Sequence, residues 1–141
     1  MSAMSDADST NELCRALSPL LLRHGVRLAI LFGSRATGKA TPTSDVDLAL
    51  DADAPQFALI AGELSSELGL EVDVVSLKDV TIPLLEALIR DGIVVHEGRR
   101  GAGAAWRSKA LAELETDRPW YARMRDAWIA RVAERGLGRG R

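Results

Sequence analysis

Apolar and polar positions recur along this chain with two different periods, and the order in which the periods alternate predicts the elements. Residues 26–32 form an apolar run rich in Val, Ile, Leu and Phe, short enough for a buried strand and closed off by Gly33. From Asp45 to Leu50 the pattern alternates, so Val46, Leu48 and Leu50 share one face of a strand while Asp45 and Asp47 share the other. Residues 71–77 read as a further strand with Asp73 near its start. Between these two, residues 55–68 place Phe57, Ile60, Ala61 and Leu64 at helical spacing, with Gly69 as the stop signal. A strand, a crossover helix and a second strand make a right-handed parallel pair. The connection from Phe32 to Asp45 is too short for a helical crossover and predicts an antiparallel neighbour instead. Asp45, Asp47 and Asp73 then gather near the starting end of adjacent strands, at the edge where Gly33 and Ser34 end the first.

Around this centre the same periods give flanking helices. Ser9 to Glu12 resembles a capping box, followed by Leu13, Leu17, Leu20 and Leu21 on one face and Gly25 as terminator. Residues 82–90 read as another helix and 93–96 as a fourth strand. The expected class is therefore α/β (α+β), a mixed sheet of about four strands flanked by helices. Residues 1–8 are expected to be disordered, 9–98 to form the domain and 99–141 a C-terminal helical extension after a hinge-like break at 98–103. In that extension Pro119 is expected to open a helix, with Tyr121, Met124, Trp128 and Val132 on one stripe. The stripe either packs back on the body or anchors a protein partner, including a second copy of the chain.

Charge and composition narrow the chemistry. A chain of 141 residues with a net charge of −2 has no general basic field for gripping a polynucleotide, so no direct nucleic-acid binding is expected. The single cysteine, Cys14, excludes an internal disulfide and suits a reducing cytoplasm. No apolar run approaches the length of a membrane span, and the expected location is cytoplasmic. His24 and His96 lack ligand-like neighbours in sequence and read as structural, while Asp51 and Asp53 read as surface residues in a turn before Pro55.

The segment from Phe32 to Asp51 carries the chemistry. Gly33 permits a sharp turn, and Ser34 to Thr37 would start a short helix whose unpaired amides favour an anion, a triphosphate being the best candidate. Arg35 and Lys39 are candidate phosphate contacts, equally readable as solvated loop cations. Asp45 and Asp47 point the same way, and two ionised carboxylates held together call for a cation between them. Magnesium, which takes few protein carboxylates and completes its shell with water and phosphate oxygens, fits that demand, and Asp73 supplies a third acid.

The pattern Gly33-Ser34, then Ser44-Asp45-Val46-Asp47-Leu48, then Asp73, resembles the minimal nucleotidyltransferases of the DNA polymerase beta superfamily, over roughly residues 26–96. The resemblance implies the nucleotidyltransferase, polymerase beta palm-like fold. It implies nucleotide binding at Gly33, Ser34, Arg35 and Ser44, and two magnesium ions on Asp45, Asp47 and Asp73 as the catalytic and metal-binding acids. Many relatives carry an arginine where this chain has Thr37, so an extra phosphate contact there is not expected. Small enzymes of this kind are similar to the antitoxin half of a toxin–antitoxin pair whose toxin is a HEPN-domain ribonuclease. By that resemblance AMP passes from ATP to a tyrosine hydroxyl of the toxin; the C-terminal stripe offers the contact, in a homodimer or a hetero-oligomer with the toxin. Two other readings fit the same residues: transfer to a small-molecule acceptor, and neutralisation of the partner by binding alone.

Overall fold

The computed structural model describes the backbone of residues 6–133. Along the chain come α1 (Asp6–Arg23), β1 (Leu28–Phe32), β2 (Val46–Asp51), α2 (Phe57–Leu68), β3 (Val72–Ser76), α3 (Ile82–Asp91), β4 (Ile93–Glu97) and α4 (Ala102–Val132), with single 3₁₀ turns at Gly33–Arg35 and Ala54–Gln56. The strands form one mixed sheet in the order β3-β2-β1-β4. β1 runs antiparallel to both β2 and β4, whereas β2 and β3 are parallel and joined by α2. The short link between β1 and β2 makes an antiparallel pair and the helical link makes a parallel one, as the loop lengths dictate. Asp51 is the last residue of β2, opposite Leu28, and so belongs to the sheet where a turn was expected.

Strand alternation divides the core into two layers. One face carries Ala29, Leu31, Val46, Leu48, Leu50, Val72 and Val95 against Leu13, Leu17 and Leu21 of α1 and Ile60 and Leu64 of α2. The opposite face carries Leu28, Ile30 and Ala49 against Leu88 of α3, with Phe32, Val75 and Trp106 at its border. Asp47 and Asp73 lie on this second face by the same period of two, beyond the edge of its apolar cover.

Both ends of the chain depart from expectation. α1 begins at Asp6, so Ser9, Thr10 and Asn11 sit inside the helix that they were expected to cap. The expected disorder of residues 1–8 is thus not seen for 6–8, and residues 1–5 lie outside the described ones. α4 is one continuous helix through Pro119, so that proline does not open a new one. Ala110 and Leu114 of α4 pack with Leu85 and Ile89 of α3. Farther on, Trp128 of the expected stripe is 59% exposed and does not fold back on the body, while Val132 is half-buried. Tyr121 and Met124 lie outside the residues whose side chains are described. No helix among the described residues is long and apolar enough to cross a membrane.

Candidate active site

β1 ends and β2 begins at the same edge, and the register there is explicit. Phe32 is the partner of Asp47 on one side, and Asp73 is the partner of Asp47 on the other. Asp47 is therefore the middle position of a row that runs from the end of β1 across to the start of β3. Asp45 precedes Val46 and lies just outside the strand. Asp45 and Asp73 are exposed, and Asp47 between them is half-buried.

Gly33 closes this row. Its φ of +77° is a conformation that L side chains rarely adopt, and a Cβ at this position would collide with Oδ2 of Asp47. The glycine is thus required twice, by the turn and by the carboxylate packed against it. The 3₁₀ turn that follows directs the Gly33 carbonyl to the amides of Ala36 and Thr37, at 3.1 and 3.2 Å, which leaves the leading amides of the turn without a partner inside it. Ser34 is half-buried, and no hydrogen bond within the described residues engages its hydroxyl.

Electrostatics set the acids apart from the rest of the surface. The Asp47 carboxyl is held above the usual carboxylate range, first by its burial and then by the charges of Asp73 and Asp45. Among the described residues no group of three acidic, imidazole or thiol side chains converges closely enough to cage a metal unaided. Like charges splay when nothing neutralises them, and magnesium takes only one or two carboxylates directly, with phosphate and water for the rest. An all-oxygen, all-anionic donor set with a half-buried central member fits such an ion.

Arg35 has partners that its sequence position does not suggest. Its guanidinium donates to the Ser44 carbonyl through Nε at 3.0 Å and Nη2 at 2.7 Å, and to the Pro42 carbonyl at 3.2 Å. The side chain thereby ties the turn after Gly33 to the loop that delivers Asp45. Ser44 is likewise engaged in its own loop, its hydroxyl accepting from the Thr41 amide at 2.8 Å. Sequence reasoning missed this clamp because its acceptors are backbone carbonyls, which leave no signature in residue identities. The structure brings Gly33, Ser34, Asp47 and Asp73 to one edge with Asp45 beside them, and commits the Arg35 and Ser44 side chains to holding the loop.

Both histidines have structural partners. Nε2 of His24 lies 2.6 Å from Oε2 of Glu63 on α2, and Nε2 of His96 lies 3.2 Å from the Val26 carbonyl.

The sequence profile described as Polymerase beta, Nucleotidyltransferase matches residues 16–100. A protein of Methanocaldococcus jannaschii provisionally named a protein adenylyltransferase is 33% identical over 89 residues, which make up 60% of this chain and 96% of that one. Among solved structures, a chain of a toxin–antitoxin complex with AMP-PNP aligns with a TM-score of 0.66 at 22% identity, covering 84% of this chain and 98% of its own length. A chain from the complex of the tri-AMPylated Shewanella oneidensis HEPN toxin with its MNT antitoxin gives 0.64 at 20% identity, with 84% and 98% covered. At these identities the two structures attest the fold. The profile spans more than half of the sequence and includes the whole acid edge, and the chain belongs to the polymerase beta nucleotidyltransferase family.

Proposed function

We propose that this nucleotidyltransferase moves AMP from ATP to a tyrosine hydroxyl of a partner HEPN-domain toxin and thereby acts as its antitoxin. The observation that carries the chemistry is the in-register pair Asp47 and Asp73, set against a glycine whose missing Cβ makes room for the Asp47 carboxylate. The protein acceptor is supported by the provisional adenylyltransferase name of the Methanocaldococcus jannaschii relative and by the AMPylated toxin in one of the similar complexes.

In this reading the triphosphate lies over the turn at Gly33, with the Ser34 hydroxyl and the leading amides of the turn donating to its oxygens. Asp45, Asp47 and Asp73 would hold two magnesium ions. When bound, these supply charge neutralisation for an in-line displacement at phosphorus. The tyrosine oxygen forms a bond to the α-phosphorus of ATP, the bond from that phosphorus to the bridging oxygen breaks, and pyrophosphate leaves with the electron pair. The phenolic proton passes to solvent. Arg35 keeps Asp45 in line by fixing the loop before it, and no side chain of this chain becomes covalently modified. Positioning and electrostatics carry the acceleration.

Co-expression of the chain with a HEPN-domain partner, followed by intact-mass measurement, tests the reading. The expected result is a gain of one or more AMP units on the partner, lost in Asp45→Asn/Asp47→Asn and in a partner whose acceptor tyrosine is replaced by phenylalanine. A partner silenced at equal stoichiometry by the double variant, with no mass gain, would show that binding alone neutralises it.

A further inference from the structure

The end of the sheet opposite the acid edge is hollow. Where β1 begins and β2 ends, the turn after α1, the turn before α4 and the first turns of α4 border an open-sided cavity of about 620 Å³. Ligand sites for small molecules fall between roughly 300 and 1,000 Å³. Leu28 and Asp51 line the cavity, while Phe32 and Asp47 mark the other end of the same strand pair, so the two places are separated by about 13 Å of strand. Nothing in the transferase chemistry uses this end.

The lining divides by chemistry. Val26, Leu28 and Trp106 form an apolar floor and wall, and Arg27, Arg99 and Lys109 stand at the rim against one carboxylate, Asp51. That carboxylate is already engaged: Oδ1 of Asp51 accepts from Arg27 through Nη2 at 3.0 Å and Nε at 3.2 Å, and Arg27 also reaches Asp53 at 3.6 Å. Arg27 is thereby fixed in place. Arg99 and Lys109 have no carboxylate partner among the described residues. The floor is built for close approach: the Gly98 amide donates to the Arg27 carbonyl at 2.8 Å, and a Cβ on Gly98 would stand 3.0 Å from the Val26 carbonyl oxygen. Trp106 also borders a neighbouring recess of about 410 Å³ that shares Asp51 and Lys109, so the indole is reachable from two sides.

We infer that this cavity is a second ligand site, taking a small anion with a flat apolar body. The body lies against the Trp106 ring, and the acid group meets Arg99 and Lys109, neither of which makes an ion pair among the described residues. A cation is disfavoured there, because the lining carries three positive side chains and one carboxylate that already has its partner, with Glu113 lying on the side of the neighbouring recess.

The full chain, titrated in EDTA without nucleotide, is the material for the test. Anilinonaphthalene sulfonate serves as the anionic probe and the uncharged phenylnaphthylamine as its neutral counterpart, read by energy transfer from tryptophan and by amide chemical shifts. One sulfonate is expected to bind per chain, with shifts concentrated at residues 25–28 and 98–109. Arg99→Glu/Lys109→Glu, at two exposed positions, should weaken the sulfonate about tenfold, or 1.4 kcal/mol, and leave the neutral amine unaffected. Asp45→Asn should bind as the parent does. Unchanged sulfonate affinity in the charge-reversed variant, or shifts confined to the Trp128 region or to the acid edge, would overturn the assignment. Circular dichroism on the variant separates lost binding from lost folding.

Discussion

Two clusters of ionisable side chains on this protein pull in opposite directions. At the acid edge of the sheet, Asp47 sits between Asp45 and Asp73, and its carboxyl is pushed above the usual range by burial and by its two neighbours. At the junction of α1 and α2, the Glu63 carboxyl is held below its ordinary value by the hydrogen bond from His24, with smaller help from the charges of His24 and Arg23. The second cluster is complete within the chain. The first is not, since all its members carry the same sign and no ion pair among the described residues engages them. A cluster whose ionised form opposes folding is expected where a charged ligand is awaited, and the proposed function supplies such a ligand in a nucleotide with divalent cations.

The strongest way to break that contrast is Asp47→Asn. Loss of the central acid should lower nucleotidyl transfer by at least about a thousandfold, roughly 4 kcal/mol of transition-state stabilisation. Its effect on stability should have the opposite sign. The folded carboxyl titrates above the ordinary value that the unfolded chain keeps, so between the two the folded state binds more protons. Stability therefore falls as pH rises through that window and stays lowered at neutral pH. Asparagine removes the opposing charge, and the variant should melt higher than the parent in metal-free buffer. Magnesium should raise the melting temperature of the parent and not of the variant, through binding to the folded state alone. A variant that melts lower in EDTA would show the carboxylate to be a structural partner and remove the contrast with Glu63.

Gly33→Ala tests the other half of the edge. The substitution forces an L residue into a left-handed conformation, at about 1–2 kcal/mol, and drives a Cβ into the Asp47 carboxylate. A displacement of that order should lower transfer about a hundredfold, with the acids themselves intact. Activity close to that of the parent in a folded Gly33→Ala protein would mean that the position of Asp47 relative to this turn is unimportant.

How much of this was legible in the sequence depends on which physical rule places each residue. The row Phe32, Asp47, Asp73 follows from a period of two, a short link and a crossover helix, all visible in residue identities. The boundaries of α1 and α4 were not legible, because both rest on weak local preferences. A capping box at Ser9 lost to a helix that starts at Asp6, and Pro119 did not interrupt a long helix. The cavity at the far end needed tertiary packing, since its floor joins a turn near residue 26 to another near residue 98. The contacts of Arg35 to the carbonyls of Pro42 and Ser44 were not legible for a similar reason: phosphate and backbone carbonyl are both acceptors for a guanidinium, and the fold of residues 41–44 is what brings the carbonyls within reach.

Arg35→Ala sharpens that last point. If the guanidinium holds the loop, kcat should fall about tenfold with little change in KM for ATP, the loss of a charged hydrogen bond in a half-exposed site being about 1.5 kcal/mol. Limited proteolysis should then open the chain at residues 38–44. Arg35→Lys should not rescue, because a point charge cannot bridge the carbonyls of Pro42 and Ser44 as the guanidinium fork does. A rise in KM with kcat unchanged would make Arg35 a phosphate ligand.

The smallest expected effect belongs to the completed cluster. Glu63→Gln keeps the size of the side chain and removes its charge beside His24, 2.6 Å away, and Arg23, 3.8 Å away. Because the folded carboxyl titrates below its ordinary value, its contribution is present above that value and is lost as pH falls through the lowered one. The variant should melt slightly below the parent at neutral pH, and the difference should close in acid. Salt should narrow it too, since Arg23 and Glu63 are both exposed. Transfer should not change, because the pair lies on the side of the sheet away from Asp47 and touches none of the acid edge. A loss of transfer in this variant would mean that the two clusters are coupled through α2, and the contrast between a complete and an incomplete site would no longer hold.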